Sequence, residues 1–559
     1  MSKKSRNKSR QPAETNRALI QVQTMFNQAV LLHQQGQLTQ AQTLYEDVLK
    51  SLPRDFNSLH LLGVVAYQTH KHERAVELIA KAIEINPDMA EPYSNIGLAL
   101  RALERLDEAL ASYDKALAIK PDYTEAYNNR GNVLKDLNRQ DDALVSYDKA
   151  LALKPNYADA YFNRGNALLD LKRLDEALAC YDKALALKPD YADVLTNRGT
   201  VLKDLKRLDA AIADYDRAIA IKPDFAGAYW NKSLALLVVG DFAKGWELYE
   251  WRWLKGKTPP TQRYAAQPLW LGVESLKDKT ILLHSEQGFG DTIQFCRYAK
   301  LVAQLGATVL LEVQPALLKL LSGLEGVSQV VTEGETLPPF DYHCPLMSLP
   351  LAFRTTIGTI PADIPYLKAD PGKAAYWHTK LGVHDKPRVG LVWSGGFRPY
   401  QPEIWAVNER RNISLELISR INLPGIDFYS LQKGEPAESE LVRRKLEVWP
   451  ESSLFNFTQE LHDFSDTAAL VENLDLVICV DTSMAHLAAA MGKPVWILNR
   501  FDSCWRWLLD RDDSPWYPTA KLYRQQRMGD WESVLDRVKT DLSKVAMPLT
   551  PAVMKLQTE

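Results

Sequence analysis

Apolar and polar positions in the first half of the chain recur with a fixed period. Proline returns at 53, 87, 121, 155, 189 and 223, and glycine at 63, 97, 131, 165 and 199, always 34 residues apart. Alanine keeps the same spacing at 41, 75, 109, 143, 177 and 211, followed by an aromatic at Tyr45, Tyr113, Tyr147, Tyr181 and Tyr215. Small Ala and Gly positions let two helices cross closely, the aromatic fills the next gap, and Pro ends the second helix. Each unit then carries an apolar face that it can bury only against its neighbours. From Lys279 the pattern changes to short β-branched runs alternating with helical stretches. Strands are predicted at 280–284, 307–313, 329–331, 388–393, 427–431, 474–480 and 494–498. Helices are predicted near 292–305, 374–381, 414–421, 437–445, 467–473 and 484–491. Strands alternating with helices mean parallel sheets covered on both faces.

A 34-residue period with a helix–turn–helix in each unit is the tetratricopeptide signature. Six full units are expected from about Ala18 to Pro223. A seventh runs from Asp224 to Lys257, with Ser233 and Gly245 in place of the usual Gly and Ala. Its Trp246, Trp251 and Trp253 suggest a helix docked on the next domain. The expected architecture is an all-α solenoid followed by a doubled Rossmann-like α/β region. Its parts are a disordered basic tail at 1–17, repeats at 18–257, and α/β domains at 258–385 and 386–559. One ladder in the repeats stands out: Asn95, Asn129, Asn163, Asn197 and Asn231. An amide both donates and accepts, so such a ladder can clamp an extended peptide, although a repeat also copies residues without selecting them for function.

At 559 residues the chain is too long for one core. A net charge of −3 gives no sign of a nucleic-acid partner, and no apolar run is long enough to cross a bilayer. Five scattered cysteines without a C-x-x-C pair point to a reducing compartment, the cytoplasm.

In open parallel sheets the loops beyond the C-terminal strand ends carry the chemistry. The first such loop is His284–Thr292, where Gly288 and Gly290 let the backbone approach a ligand and Asp291 stands at a helix start. The dinucleotide fingerprint fails, because position 293 is Ile where a third Gly is needed, and there is no phosphate-loop motif. Asp291 is thus either a catalytic carboxylate or an ordinary N-cap. The second loop, Val480–Ala490, ends a hydrophobic strand at Asp481-Thr482-Ser483 and begins a helix at once, a ready anion site with His486 one turn in. A capped helix with a buried His is the competing reading. The third, Asn408–Ser414, offers Arg411 for bidentate pairing with a diphosphate, or a solvated charge run. The stretches Trp505–Trp507 and Ser514–Tyr517 pack a lid or a sugar, or else a domain-closing core. Asp510-Arg511-Asp512 lies outside any strand end and is discounted as a metal site.

At these loops the second half resembles the heptosyltransferase-like glycosyltransferases of family 9, and in particular bacterial proteins that fuse that domain to tetratricopeptide repeats. The matched stretches are His284–Thr292, Val389–Gly396 with Glu409–Ser414, Ser430–Glu435 and Asp481–Ala490. The order of parts is also similar to that of the protein O-linked N-acetylglucosamine transferases. The resemblance implies a GT-B fold and an inverting, metal-independent transfer with no cofactor beyond the nucleotide-sugar co-substrate. It implies Asp291 as catalytic base, Asp481, Thr482, Ser483 and His486 at the sugar nucleotide, Arg411 at the diphosphate and Glu435 at the nucleoside. The usual Lys-x-Trp-Pro of heptosyltransferases is missing around Asn408–Ile413, which counts against heptose as the donor sugar. A protein or peptide acceptor recruited by the repeats is expected. The alternative is a repeat scaffold with an inactive nucleotide-sugar-binding domain.

Overall fold

The computed structural model describes residues 10–255, 263–264, 266–383, 385–396, 405–449 and 453–546. By contact density the chain divides into two compact units, Met1–Val201 and Leu202–Glu559.

The first unit is built of helix pairs: Arg10–Gln34 with Leu38–Ser51, Phe56–Gln68 with His72–Ile85, Ala90–Ala102 with Leu106–Ile119, Thr124–Asp136 with Gln140–Leu153, and Ala158–Asp170 with Leu174–Leu187. The expected basic tail falls mostly on residues 1–9, outside the described residues. Helix begins at Arg10, so the stretch to residue 17 is helical backbone rather than tail. The periodic small residues act as predicted. A methyl added to Gly97, Gly131 or Gly165 would meet the ring of Tyr113, Tyr147 or Tyr181 at 2.7, 2.5 and 2.6 Å, and all three tyrosines are fully buried. A second ladder lies beside the asparagines. Arg130, Arg164 and Arg198 each reach back to the preceding unit, to Asp114, Asp148 and Asp182, at 2.7, 2.8 and 2.6 Å.

The second unit opens with helices Leu208–Ile221, Ala226–Val239, Phe242–Tyr249 and Arg252–Lys255. These later repeat helices therefore group with the α/β region, earlier than the boundary expected at 257. The cause is aromatic. Trp246 packs edge-on to Trp505 (5.1 Å) and Phe295 (6.3 Å), and Phe295 in turn meets Trp516 at 5.6 Å. Arg252, nearly buried, donates to both carboxylate oxygens of Glu286 at 2.8 and 2.9 Å. The tryptophan-rich stretches near 505 and 516 are thus closing core, not lid.

Two parallel sheets follow. The first has β1 (Thr280–His284), β2 (Thr308–Val313), β3 (Gln329–Thr332) and β4 (Tyr342–Pro345), in the order β3-β2-β1-β4. The second has β5 (Arg388–Val392), β6 (Asp427–Ser430), β7 (Leu454–Asn456), β8 (Leu476–Val480), β9 (Val495–Asn499) and β10 (Ala520–Arg524), in the order β10-β9-β8-β5-β6-β7. Central strands β5 and β8 are buried along their whole length, as strands covered on both faces must be. The second sheet winds outward both ways from β5, so its order reverses between β5 and β8. That reversal opens a crevice beyond their carboxyl ends. The terminal helix Trp531–Val545 closes this core through Trp531, Val534, Leu535, Val538 and Leu542.

Candidate functional site

A cleft of about 520 Å³ lies at that reversal, between the carboxyl ends of the two sheets. From the first sheet it receives Gly288–Asp291, after β1. From the second it receives Ser394–Gly396 after β5, Lys433 after β6, Asp481–Met484 with His486 after β8, and Arg500 and Arg506 after β9, together with Arg411.

The helix Ser483–Ala490 starts in the cleft with Thr482 at its N-cap in extended backbone. The Thr482 hydroxyl is buried and has no hydrogen-bond partner among the described residues. A buried hydroxyl left open at a helix start suits an anionic oxygen. Arg411 is aimed there by its own contacts: one nitrogen donates to the Asp481 carbonyl at 3.0 Å and another to Asn408 at 2.6 Å. Gly395 is needed beside it, since an added methyl would run into the Arg411 guanidinium. Gln432 fixes the loop after β5, accepting from the N–H groups of Trp393 and Ser394 at 3.1 and 2.9 Å.

Asp291 is placed differently from the expectation. The helix runs Phe289–Phe295 with Gly288 at its N-cap, so Asp291 is the third helical residue and not the cap. One carboxylate oxygen accepts from the Gly288 N–H at 2.8 Å, and the other forms a short ion pair with Arg506. Arg506 also donates to Gln294 at 2.7 Å and lies across the Trp505 ring. Burial acts against the Arg506 charge, but the Asp291 carboxylate holds the group above its usual range. The second glycine has a reason other than ligand approach. A methyl on Gly290 would stand 2.8 Å from Cδ2 of His486 and 3.4 Å from Cα of Ser483, so this glycine lets the two helix starts meet.

His486 is buried, stacked on Trp507 at 5.4 Å with its Nδ1 3.0 Å from the Tyr517 hydroxyl. Burial, aided by the Arg506 charge and opposed by Asp481, pushes it down to about 3, so the ring is neutral.

The comparisons with known proteins match the earlier and later parts of the chain to different families. The TPR repeat family matches residues 97–138 and 131–172, and the tetratricopeptide repeat family residues 158–191 and 192–225. Anaphase-promoting complex, cyclosome, subunit 3 matches residues 34–116. Glycosyltransferase family 9 (heptosyltransferase) matches residues 434–498, which include β8 and the Asp481–His486 turn. The chain joins tetratricopeptide repeats to a glycosyltransferase family 9 domain. It is similar to protein FlbA of Caulobacter vibrioides, 26% identical over 339 residues that cover 56% of this chain and 54% of FlbA. It thus spans about half the length of that curated relative. Among solved structures it is similar to YrrB, described as a TPR protein with an unusual peptide-binding site, at 26% identity, covering 34% of this chain and 98% of that one with a TM-score of 0.29. It is also similar to TTC0263, a thermophilic TPR protein of Thermus thermophilus, at 28% identity, covering 32% and 98% with a TM-score of 0.29.

Of the residues singled out in the α/β region, Asp291, Arg411, Asp481, Thr482, Ser483 and His486 share one cleft with Gly288 and Gly290. Glu435 does not join them. It is exposed, outside the residues lining the cleft, and accepts from Ser439 at 2.6 Å. Lys433, two residues earlier, takes the cleft-facing place in that loop. Arg500 and Arg506 escape sequence reasoning. The signal for the first is its position directly after β9. The second sits between Trp505 and Trp507, where an aromatic core run hides it. In the first unit the asparagine amides engage neighbouring side chains. Asn95 meets His60 at 2.9 Å, Asn163 donates to Asn128 at 3.0 Å and Asn197 to Asn166 at 2.8 Å. Asn129 accepts from Asn128 at 3.5 Å. Asn231 belongs to the second unit. Among the described residues no helix is long and apolar enough to cross a membrane.

Proposed function

We propose that the chain transfers a sugar from a nucleoside-diphosphate donor to an acceptor hydroxyl, with inversion and without a metal ion. The observation that carries this reading is the cleft at the strand reversal. There an open Thr482 hydroxyl, a helix start and the guanidinium groups of Arg411, Arg500 and Arg506 converge. Cationic groups and a helix N-terminus in one cleft are what a leaving diphosphate needs. The acceptor oxygen forms a bond to the anomeric carbon as the bond from that carbon to the diphosphate oxygen breaks. The hydroxyl proton passes to Asp291, and the nucleoside diphosphate leaves as an anion held by the arginines. Asp291 begins paired with Arg506, so base action requires that guanidinium to turn toward the diphosphate once the donor is bound. The acceptor in this reading is a protein or peptide. The repeats offer an extended surface, and their asparagine ladder, whose amides at Asn95, Asn129, Asn163 and Asn197 already engage neighbouring side chains, offers amides for exchange with a peptide backbone.

The ion pair also favours a second reading, in which Asp291 serves only to aim Arg506 and the chain holds a sugar nucleotide without turning it over. One experiment separates them. Wild type and Asp291→Asn are incubated with a panel of nucleotide sugars, with and without a metal chelator and cell-extract protein. Release of nucleoside diphosphate and labelling of protein are then measured. The replacement keeps an acceptor for the Gly288 N–H but no base, so turnover should fall by about 10²–10⁴-fold with binding retained. Full turnover in Asp291→Asn removes the base assignment. Binding without turnover in the wild type establishes the second reading.

A further inference from the structure

The environment of His486 determines which of its nitrogens carries the proton. Its Nδ1 faces the Tyr517 hydroxyl at 3.0 Å, whereas the Cδ2–Nε2 edge faces Gly290 at the start of the opposite helix, in the cleft. The Tyr517 oxygen also lies 3.4 Å from the Tyr366 hydroxyl. Tyr366 donates to the Ile293 carbonyl at 2.9 Å and accepts from Arg297 at 2.9 Å.

Counting protons along this chain leaves few choices. A carbonyl can only accept, so the single Tyr366 proton is committed to Ile293. A guanidinium can only donate, so Arg297 occupies one lone pair on Tyr366. The Tyr517 proton then has two destinations, Nδ1 of His486 at 3.0 Å or the remaining lone pair of Tyr366 at 3.4 Å. The shorter contact leads to the imidazole nitrogen, a better acceptor than a phenol oxygen already serving a guanidinium. A neutral imidazole that accepts at Nδ1 carries its hydrogen on Nε2.

We infer that Tyr517 is a positioning residue that holds His486 in the Nε2–H tautomer and so makes it a hydrogen-bond donor to an oxyanion in the cleft. This rests on the proposed function only in taking that oxyanion to be the donor's diphosphate. Burial and the Arg506 charge keep the ring neutral, so its usefulness to an anion depends on the tautomer and not on charge. Tyr517 is itself fully buried, with its ring 4.5 Å from the Arg297 guanidinium, so its hydroxyl has little freedom to turn elsewhere.

The test uses full-length chain labelled with ¹⁵N-histidine, as wild type and as Tyr517→Phe, with the His486 signals assigned by their loss in His486→Gln. The wild type should show a pyridine-type Nδ1 and a pyrrole-type Nε2, and Tyr517→Phe should lose that pattern. In parallel, calorimetry measures binding of UDP, GDP, ADP and inorganic pyrophosphate. Tyr517→Phe and His486→Asn should weaken binding by about tenfold or more. His486→Gln, whose amide nitrogen reaches the Nε2 position, should stay within about threefold of wild type. A wild-type spectrum with the proton on Nδ1 overturns the inference, even if Tyr517→Phe fails to fold. So does equal binding by His486→Asn and His486→Gln. If none of the four probes binds the wild type, the nucleotide reading of the cleft falls, and the spectrum still decides the role of Tyr517.

Discussion

Replacing Gly290 by alanine tests the close meeting of the two helix starts. Gly290 is the second residue of its helix, so on local grounds the change should stabilise: alanine in place of glycine in a helix is worth roughly 0.5–1 kcal/mol. The tertiary contact has the opposite sign. The new methyl would stand 2.8 Å from Cδ2 of His486, about 1 Å inside ordinary carbon–carbon contact. His486 cannot retreat, since Trp507 stacks on its face and Tyr517 bonds its far edge. The helix Phe289–Phe295 must shift instead, carrying Asp291 away from Arg506. Overpacking of this kind costs about 1–3 kcal/mol, enough to outweigh the helical gain. All 14 tryptophans lie at or after Trp230, so urea unfolding followed by tryptophan fluorescence reports on the second unit alone. Gly323→Ala is the matched control, because among the described residues an added methyl there meets nothing within 4 Å and the residue does not line the cleft. Gly290→Ala should unfold at lower urea than wild type and bind nucleoside diphosphates more weakly, while Gly323→Ala stays close to wild type. A Gly290→Ala chain more stable than wild type, with unchanged affinity, would refute the argument.

The repeats were legible because their physics is local. Each glycine and tyrosine that defines the period lies within one helix pair, and Gly131 meets Tyr147 only 16 residues on. One device was not legible. The turn inside each pair places a left-handed residue at 36, 70, 104, 138, 172, 206 and 240, yet only the first and last are glycine. His70, Glu104, Asn138, Lys172 and Lys206 give no common chemical sign. The missed strands have a common cause as well. β4, β7 and β10 all stand at sheet edges, where only β3, with its Val330-Val331 pair, was readable. A strand covered on one side lacks the unbroken apolar run that revealed β5 and β8, and β10 carries Lys521 and Arg524 within five residues.

The cleft divides along the same line. Thr482, Ser483 and His486 were readable because a strand end, a helix start and a histidine one turn on fall within seven residues. Arg506 was not, because its meaning lies 215 positions away in Asp291 and depends on how the two sheets face each other. Glu435 erred in the other direction. The loop after β6 does enter the cleft, but a turn with Gly434 at positive φ presents Lys433 inward and leaves Glu435 to Ser439.

Glu104→Gly and Lys172→Gly should each stabilise the first unit, where both residues hold φ near +60°. Relief of about 1–2 kcal/mol of left-handed strain exceeds the roughly 0.5–1 kcal/mol entropy cost of glycine. Circular dichroism melts of the full chain should rise for both, and a fall in both would show that the turns carry no strain. The second unit should lose stability in mild acid through two buried histidines. His486 and His284 are each pushed down to about 3, by burial first, with the Arg506 charge next for His486 and His343 next for His284. A folded-state value below the unfolded value near 6.5 means that unfolding takes up protons. Stability is therefore complete above about pH 6.5 and declines as pH falls toward 3. At about 1.36 kcal/mol per unit, each ring costs about 2 kcal/mol at pH 5. Urea unfolding by tryptophan fluorescence at pH 7.5 and pH 5, in wild type, His284→Gln and His486→Gln, isolates each share, because the carboxylate contribution cancels in the difference. Each replacement should shrink the pH 7.5-to-5 loss by about 2 kcal/mol. An unchanged loss in both variants would mean that neither ring is held neutral by the fold, and the reading of His486 as an uncharged donor in the cleft would fall with it.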